Sequence, residues 1–271
     1  MAITTGEYEV YALKYGTHAR KRSENFIMGD PHDGPMPIDF YVWAIVGQDH
    51  TGKPRTIVVD TGFDHAMATK RNREIYRTPT QGLQLIGINP ETIKDVVITH
   101  MHYDHAGSLD EFPNARYHLQ DREMEFCTGR YMCNATTRFP FEASHVTTMI
   151  NRIFEGRVEF HDGDSELAPG ITLHHVGGHS LGLQVVRVKT KRGYVVLASD
   201  AAHFYENMES MRPYPVVVNV AEMVEGFKTI QKLATSVNHV IPGHDPLVLS
   251  KYPAAAPGLE GIVARLDVDP R

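Results

Sequence analysis

Apolar positions along this chain fall into short runs separated by breaks rich in Gly, Pro and Asp. Residues 8–13 and 39–46, enriched in aromatic and β-branched side chains, predict two strands. Turn chemistry at 49–53 leads into a third strand over 55–59, and the last two form a hairpin. A loop rich in Gly, Pro and Asp occupies 28–37, residues 64–76 are polar without a clean helical period, and 82–87 suggests a short helix. The run 93–99 predicts a buried strand, 115–119 another, and 120–126 a helix. The mixed segment 127–153 is either a lid or pocket wall or an ordinary surface excursion with a helix from about 144 to 154. In the second half, strands are predicted over 157–161, 171–176, 183–189, 194–199 and 237–241, with a helix over 221–235. The tail from 254 to 271, with its small residues, Pro and Gly, is expected to wrap the surface or fray.

Three of these strands end in residues able to hold a metal. The strand at 93–99 runs directly into His100, His102, Asp104 and His105, the strand at 194–199 into Asp200, and the strand at 237–241 into Pro242-Gly243-His244. His179 follows Gly177 and Gly178, which allow a tight turn that presents an imidazole. A lone histidine among the 16 in the chain would mean little. Burying three imidazoles and a carboxylate without partners, however, costs about 1–3 kcal/mol for each unsatisfied group, and a metal removes that cost. Neutral imidazole and carboxylate oxygen, with no thiolate, suit a borderline divalent ion such as zinc.

At 271 residues the chain is expected to form a single domain over 1–271, with lid or pocket-wall segments at about 19–37 and 127–153. Its net charge is -6, and Arg20-Lys21-Arg22 is too short a basic run to make a nucleic-acid face. No apolar run approaches the length of a membrane span. Residues 1–7 lack a basic stretch followed by an apolar one, so no secretory signal is expected. Cys127 and Cys133 match neither a zinc-knuckle spacing nor a disulfide framework, which makes a reducing, cytoplasmic setting the default.

Asp60-Thr61-Gly62, the run from His100 to Gly107, Gly178-His179-Ser180, Ser199-Asp200 and Pro242-Gly243-His244 occur in one order between about residues 40 and 245. In these elements the chain resembles the metallo-β-lactamase superfamily. The resemblance implies an α/β fold, a four-layer αββα sandwich of two mixed sheets with metals at one edge. Tyr103, Gly107 and Asp200-Ala201-Ala202 are most similar to the N-acyl homoserine lactonase branch. That likeness implies two divalent ions, zinc being expected, with His100, His102 and His179 on the first, Asp104, His105 and His244 on the second, and Asp200 bridging them. It gives Asp60 the task of orienting a ligand imidazole by a hydrogen bond.

The implied activity is the opening of a lactone ring by a water shared between the ions, with an N-acyl homoserine lactone as leading substrate. Asp104 could pass a proton from that water to the leaving alkoxide. Lactonases of this branch usually carry a tyrosine three residues after the bridging aspartate; this chain has His203 there, with Tyr205 two further on, and either could take over its donor role. Phe26, Met28, Phe139, Phe141, Phe204 and Met208 could line an apolar pocket. Alternatives are a lactonase for another small or aromatic lactone, a thioester hydrolase of the glyoxalase II type, and an iron-dependent oxygen or sulfur enzyme. A nuclease is disfavoured by the acidic balance, and an inactive scaffold by retention of every ligand. The segments 19–37 and 127–153 could also serve as contacts of a homodimer, which the sequence does not decide.

Overall fold

The computed structural model describes residues 6–49 and 51–271; the expectations placed on residues 1–5 and on His50 lie outside the described residues. In chain order the strands are β1 (Glu9–His18), β2 (Ile38–Gln48), β3 (Pro54–Val59), β4 (Glu74–Ile75), β5 (Asp95–Val97), β6 (Arg116–Gln120), β7 (Val158–His161), β8 (Ser165–Ala168), β9 (Ile171–His175), β10 (Gln184–Thr190), β11 (Gly193–Ser199), β12 (Val240–Pro242) and β13 (Val263–Arg265). The α-helices are α1 (His65–Arg71), α2 (Pro79–Gln84), α3 (Asp121–Thr128), α4 (Ala135–Arg138), α5 (Ala143–Phe154), α6 (Tyr205–Glu209), α7 (Val220–Leu233) and α8 (Leu247–Lys251).

Two mixed sheets result. The first follows the order β13-β1-β2-β3-β5-β6-β7 with β4 beside β1, and the second the order β12-β11-β10-β9-β8. In the first, β1, β2 and β3 are antiparallel while β3, β5, β6 and β7 run parallel. In the second, β11 and β12 are parallel and the rest antiparallel.

The side-chain period of two explains the layers. Along β2, Tyr41, Trp43 and Ile45 enter a core shared with β9, β10 and β11, whereas Phe40, Val42 and Ala44 enter a second core with Met67 of α1, Leu83 of α2, Phe126 of α3 and Met149 of α5. Both faces of β2 are therefore buried, which is why its sequence is almost wholly apolar rather than alternating. Met223, Phe227 and Ile230 of α7 belong to the first core, covering the far sheet. The order is helices, sheet, sheet, helix, the αββα sandwich expected from the resemblance.

Several elements differ from the sequence reading. The polar stretch 64–76 contains α1, started by Asp64, whose side chain accepts from the Met67 amide; a cap supplied what hydrophobic periodicity did not. The tail does not fray, because β13 pairs antiparallel with β1 and buries Leu266. Residues 237–239 form a 3-10 turn, and the last strand begins only at Val240.

Candidate metal centre

All the candidate ligands collect at the carboxyl ends of strands on one edge of the sandwich. β5 passes through Ile98 and Thr99 into His100, β11 ends at Ser199 beside Asp200, β12 leads through Gly243 into His244, and the turn between β9 and β10 presents His179. That turn needs glycine: Gly178 has φ 80°, and a Cβ there would lie 2.6 Å from the Met223 backbone nitrogen. Asp60 and Ser199 are non-glycine residues with φ 63° and 45°, so left-handed backbone marks the ends of both β3 and β11 beside the ligands.

The donor atoms form two sets that share one carboxylate. His102 Nδ1 lies 3.0 Å from His100 Nε2 and 2.9 Å from His179 Nε2, and Asp200 Oδ2 is 3.0 Å from His179 Nε2 and 3.8 Å from His100 Nε2. Asp200 Oδ1 faces the other way, 3.2 Å from His105 Nε2 and 3.0 Å from His244 Nε2. Asp104 Oδ2 completes that set at 3.8 and 3.9 Å from the same two nitrogens. Metal–ligand bonds of zinc length in a tetrahedron place donors about 3.4 Å apart, which the observed separations bracket.

The second set passes a stricter test. His105 Nδ1 lies 2.7 Å from Asp60 Oδ2, and His244 Nδ1 donates to the Asp39 carbonyl at 2.9 Å. Those bonds place each ring proton on Nδ1, so each Nε2 turns a lone pair toward Asp200 Oδ1. With these two rings neutral, as ligands must be, acceptors face acceptors, and His105 Nε2 and Asp200 Oδ1 are buried with no hydrogen-bond partner among the described residues. A cation between them resolves the conflict.

The electrostatics differ between the two sets. Burial, helped by the neighbouring rings, holds His100 and His102 well below the ordinary imidazole value, leaving them neutral as ligands must be. Burial also disfavours charge on His105 and His244, yet the nearby carboxylates, Asp200 first, raise both above that value. Burial would likewise raise Asp200, but the surrounding histidines keep it ionised. The residues fit two divalent ions.

Outer partners hold the ligands in place. Asp60 also accepts from the Thr99 amide and hydroxyl, each at 2.8 Å, so one buried carboxylate organises both the β5 end and His105. Glu123 on α3 is a residue that sequence reasoning missed. Its Oε1 accepts from the Met101 amide, between two ligands, at 2.8 Å; its Oε2 accepts from the Gly182 amide at 3.0 Å and from the Ser180 hydroxyl at 2.5 Å, beside His179. In sequence it is an ordinary acidic residue of a helical stretch, so only the contact reveals it.

His203 joins the centre and Tyr205 does not. His203 Nε2 lies 3.1 Å from Asp200 Oδ2, and its ring stacks on Tyr214 at 3.7 Å between centroids with 10° between planes. Burial outweighs the pull of Asp200 and lowers its pKa to about 3, so the ring is neutral. Tyr205 starts α6, packs in the inter-sheet core under Lys251 Nζ at 3.8 Å, and donates its backbone amide to the Asp245 carboxylate.

Segment 127–153 walls the first set. Phe141 meets His102 edge-on at 4.6 Å, the Tyr103 amide donates to the Pro140 carbonyl, and Phe139 and Pro140 with Val216 and Val218 line a cleft of about 550 Å³ that reaches His102 and His179. Of the other aromatic and Met candidates, Phe26 and Met208 are buried core, Met28 is exposed, and Phe204 lines a separate depression of about 720 Å³ shared with Tyr205 and Lys251. Segment 19–37 is pinned near the centre: the Ile27 amide donates to the Pro213 carbonyl, and Asp30 pairs with Arg22 and Arg212.

Sequence comparison now decides the family, since the profile of the Metallo-beta-lactamase superfamily matches residues 41–244. The chain belongs to that superfamily. An N-acyl homoserine lactonase of a Bacillus species is 29% identical over 196 residues, covering 65% of this chain and 70% of that protein. The N-acyl homoserine lactonase AttM of Azorhizobium caulinodans is 28% identical over 179 residues, covering 60% and 62%. The AiiB lactonase of Agrobacterium fabrum is 33% identical over 133 residues, 46% of each chain. This metallo-β-lactamase chain therefore spans between about half and 70% of the length of these relatives. Among solved structures, a quorum-quenching N-acyl homoserine lactone lactonase aligns with a TM-score of 0.71 at 21% identity over 90% of this chain and 94% of that one. A probable metal-dependent hydrolase from Staphylococcus aureus aligns with a TM-score of 0.72 at 15% identity over 98% and 96%. These share its fold.

Proposed function

We propose that this protein is a dinuclear metal-dependent hydrolase that opens lactone rings, with N-acyl homoserine lactones the first substrates to test. One observation carries the reading: the two oxygens of Asp200 are divided between two complete donor sets, which a single-ion site would not need. His100, His102 and His179 would hold one ion and Asp104, His105 and His244 the other. Two divalent ions bound there, zinc foremost, would polarise an ester carbonyl and bring the pKa of a shared water toward neutrality.

The chain's own residues supply the rest. Asp104 borders the second set on its open side and is placed to take a proton and return it to the departing alkoxide, which is a poor leaving group without one. His203, neutral and fixed by its stack on Tyr214, holds Nε2 3.1 Å from Asp200 Oδ2, and its N–H would turn to a substrate carbonyl oxygen once Asp200 is taken up by the ions. Tyr205 points elsewhere and is left out of this role. The cleft bordered by Phe139, Pro140, Val216 and Val218 suits an apolar acyl group.

The test combines metal analysis with a pH-indicator assay, since ring opening releases a proton. About two ions per chain and turnover of N-acyl homoserine lactones across chain lengths are expected. Turnover of thioesters with none of lactones would replace the reading, and a protein that binds no metal would end it.

A further inference from the structure

Two guanidiniums reach the rim of the metal centre without an ion pair among the described residues. Arg73, just past α1, donates from Nε to the Tyr103 hydroxyl at 3.0 Å, next to the candidate ligand Asp104. Arg20 lies beyond the end of β1 with Cζ 5.2 Å from the Tyr214 ring centroid, and that ring stacks on His203 beside Asp200. The two approach each other at His18, whose Nε2 is 3.2 Å from Arg73 Nη1. Burial first, then Arg73 and Arg20, push the His18 imidazole down to about 4 against the weaker pull of Glu24, so it is neutral at pH 7 and both guanidiniums bear on one ring.

Neither arginine forms an ion pair among the described residues, although Arg22, Arg55, Arg71, Arg152 and Arg265 all do. Their bonds go instead to neutral acceptors: Arg20 to the Asn25 side chain and the Glu24 carbonyl, Arg73 to the Arg71 carbonyl and the Tyr103 hydroxyl. Arg20 Nη1 and Arg73 Nη2 donate to no described residue. Two half-buried like charges sharing a neutral neighbour favour an anion between them, and planar guanidiniums with free N–H groups suit a carboxylate. The Tyr214 hydroxyl, also without a partner among the described residues, lies within the electrostatic reach of both arginines and of Asp104 and Asp200.

We propose that Arg20 and Arg73 form an anion subsite at the mouth of the metal centre, and that the preferred substrates are lactones bearing a carboxylate in addition to the ring ester. This rests on the hydrolase reading above and narrows its substrate class: the ring ester meets the metals while the second acidic group meets the arginines.

The experiment uses metal-loaded protein in two assays. In the first, calorimetry compares glutarate, a dicarboxylate, with butyrate. Glutarate is expected to bind at least about tenfold tighter in the unaltered protein, a difference that Arg20→Gln and Arg73→Gln each reduce toward one and Arg20→Lys and Arg73→Lys partly keep. In the second, kcat/KM is compared for γ-carboxy-γ-butyrolactone and γ-butyrolactone, with the acid expected to be preferred through KM and the preference lost in the Gln variants. Equal binding of the two acids, or a preference untouched by the Gln variants, overturns the subsite. A glutarate preference that depends on the arginines, together with no hydrolysis of either lactone, would keep the subsite and refute the lactonase reading; hydrolysis of both lactones without acid preference would do the reverse.

Discussion

Two tasks are proposed for Asp104, holding an ion and carrying a proton. Its Oδ2 sits at the outer side of the second donor set, 3.8 and 3.9 Å from the two imidazoles, looser than the contacts of Asp200 with the same nitrogens. A carboxylate held that way can still carry a proton. Asp104→Asn keeps an oxygen donor and removes the base, so kcat should fall by about 100-fold while KM shifts only a few-fold and metal content stays at two ions. Steady-state kinetics with metal analysis on the same sample checks this; equal losses in kcat and in binding, or loss of an ion, would remove the case for proton transfer. Asp60 and Glu123 act by a different route, since neither lies among the donors and each ties down backbone on both sides of a ligand. The role of Asp60 was legible through the family resemblance carried by its Asp-Thr-Gly element, whereas Glu123 was not legible, its partners lying 22 to 59 residues away.

Among the elements, the end of β1 carries a pH response that can be separated from the metal chemistry. His18 is half-buried against Arg73 and Arg20, and its folded pKa of about 4 lies below the ordinary value of 6.5. The unfolded chain takes up the proton first, so the stability held above about pH 6.5 is lost as the pH falls toward 4. Urea unfolding from pH 7 to 4 should therefore show a steeper decline for the unaltered protein than for His18→Asn, with the two curves diverging below pH 6.5. A flat difference across that window would show that the imidazole is not held neutral. The helix α1 left no periodic signal because its helical face is short and mostly polar; the Asp64 cap and the packing of Met67 and Ala68 on the outer core together make it a helix.

At the scale of the whole molecule, the metal centre joins the two sheets. His100, His102, Asp104 and His105 follow β5 of the first sheet, while His179, Asp200 and His244 follow strands of the second. Ions held between them would cross-link the sandwich at one edge, and ligand binding of this kind adds about 4 kcal/mol when free metal exceeds its dissociation constant a thousandfold. Stripping the protein with a chelator should abolish hydrolysis and lower Tm by about 10 °C, both restored by adding back the divalent ion. Scanning calorimetry before and after chelation reads this directly; an unchanged Tm with full activity would mean that the donor sets are not a metal centre.

Order along the chain was enough to single out seven candidate ligands, because each follows an apolar strand or a glycine turn and imidazole and carboxylate have few other reasons to end a buried strand together. It was also enough for the layered α/β class, since strands buried on both faces write themselves as nearly continuous apolar runs. What it could not contain is distance. That the two oxygens of Asp200 part between two sets, that Glu123 braces two ligand turns and that Arg73 reaches His18 are all facts about segments far apart in the chain, and only the folded packing brings them within a few ångströms. Local pattern reports which face of an element is apolar; which neighbour that face meets is settled by the folded whole.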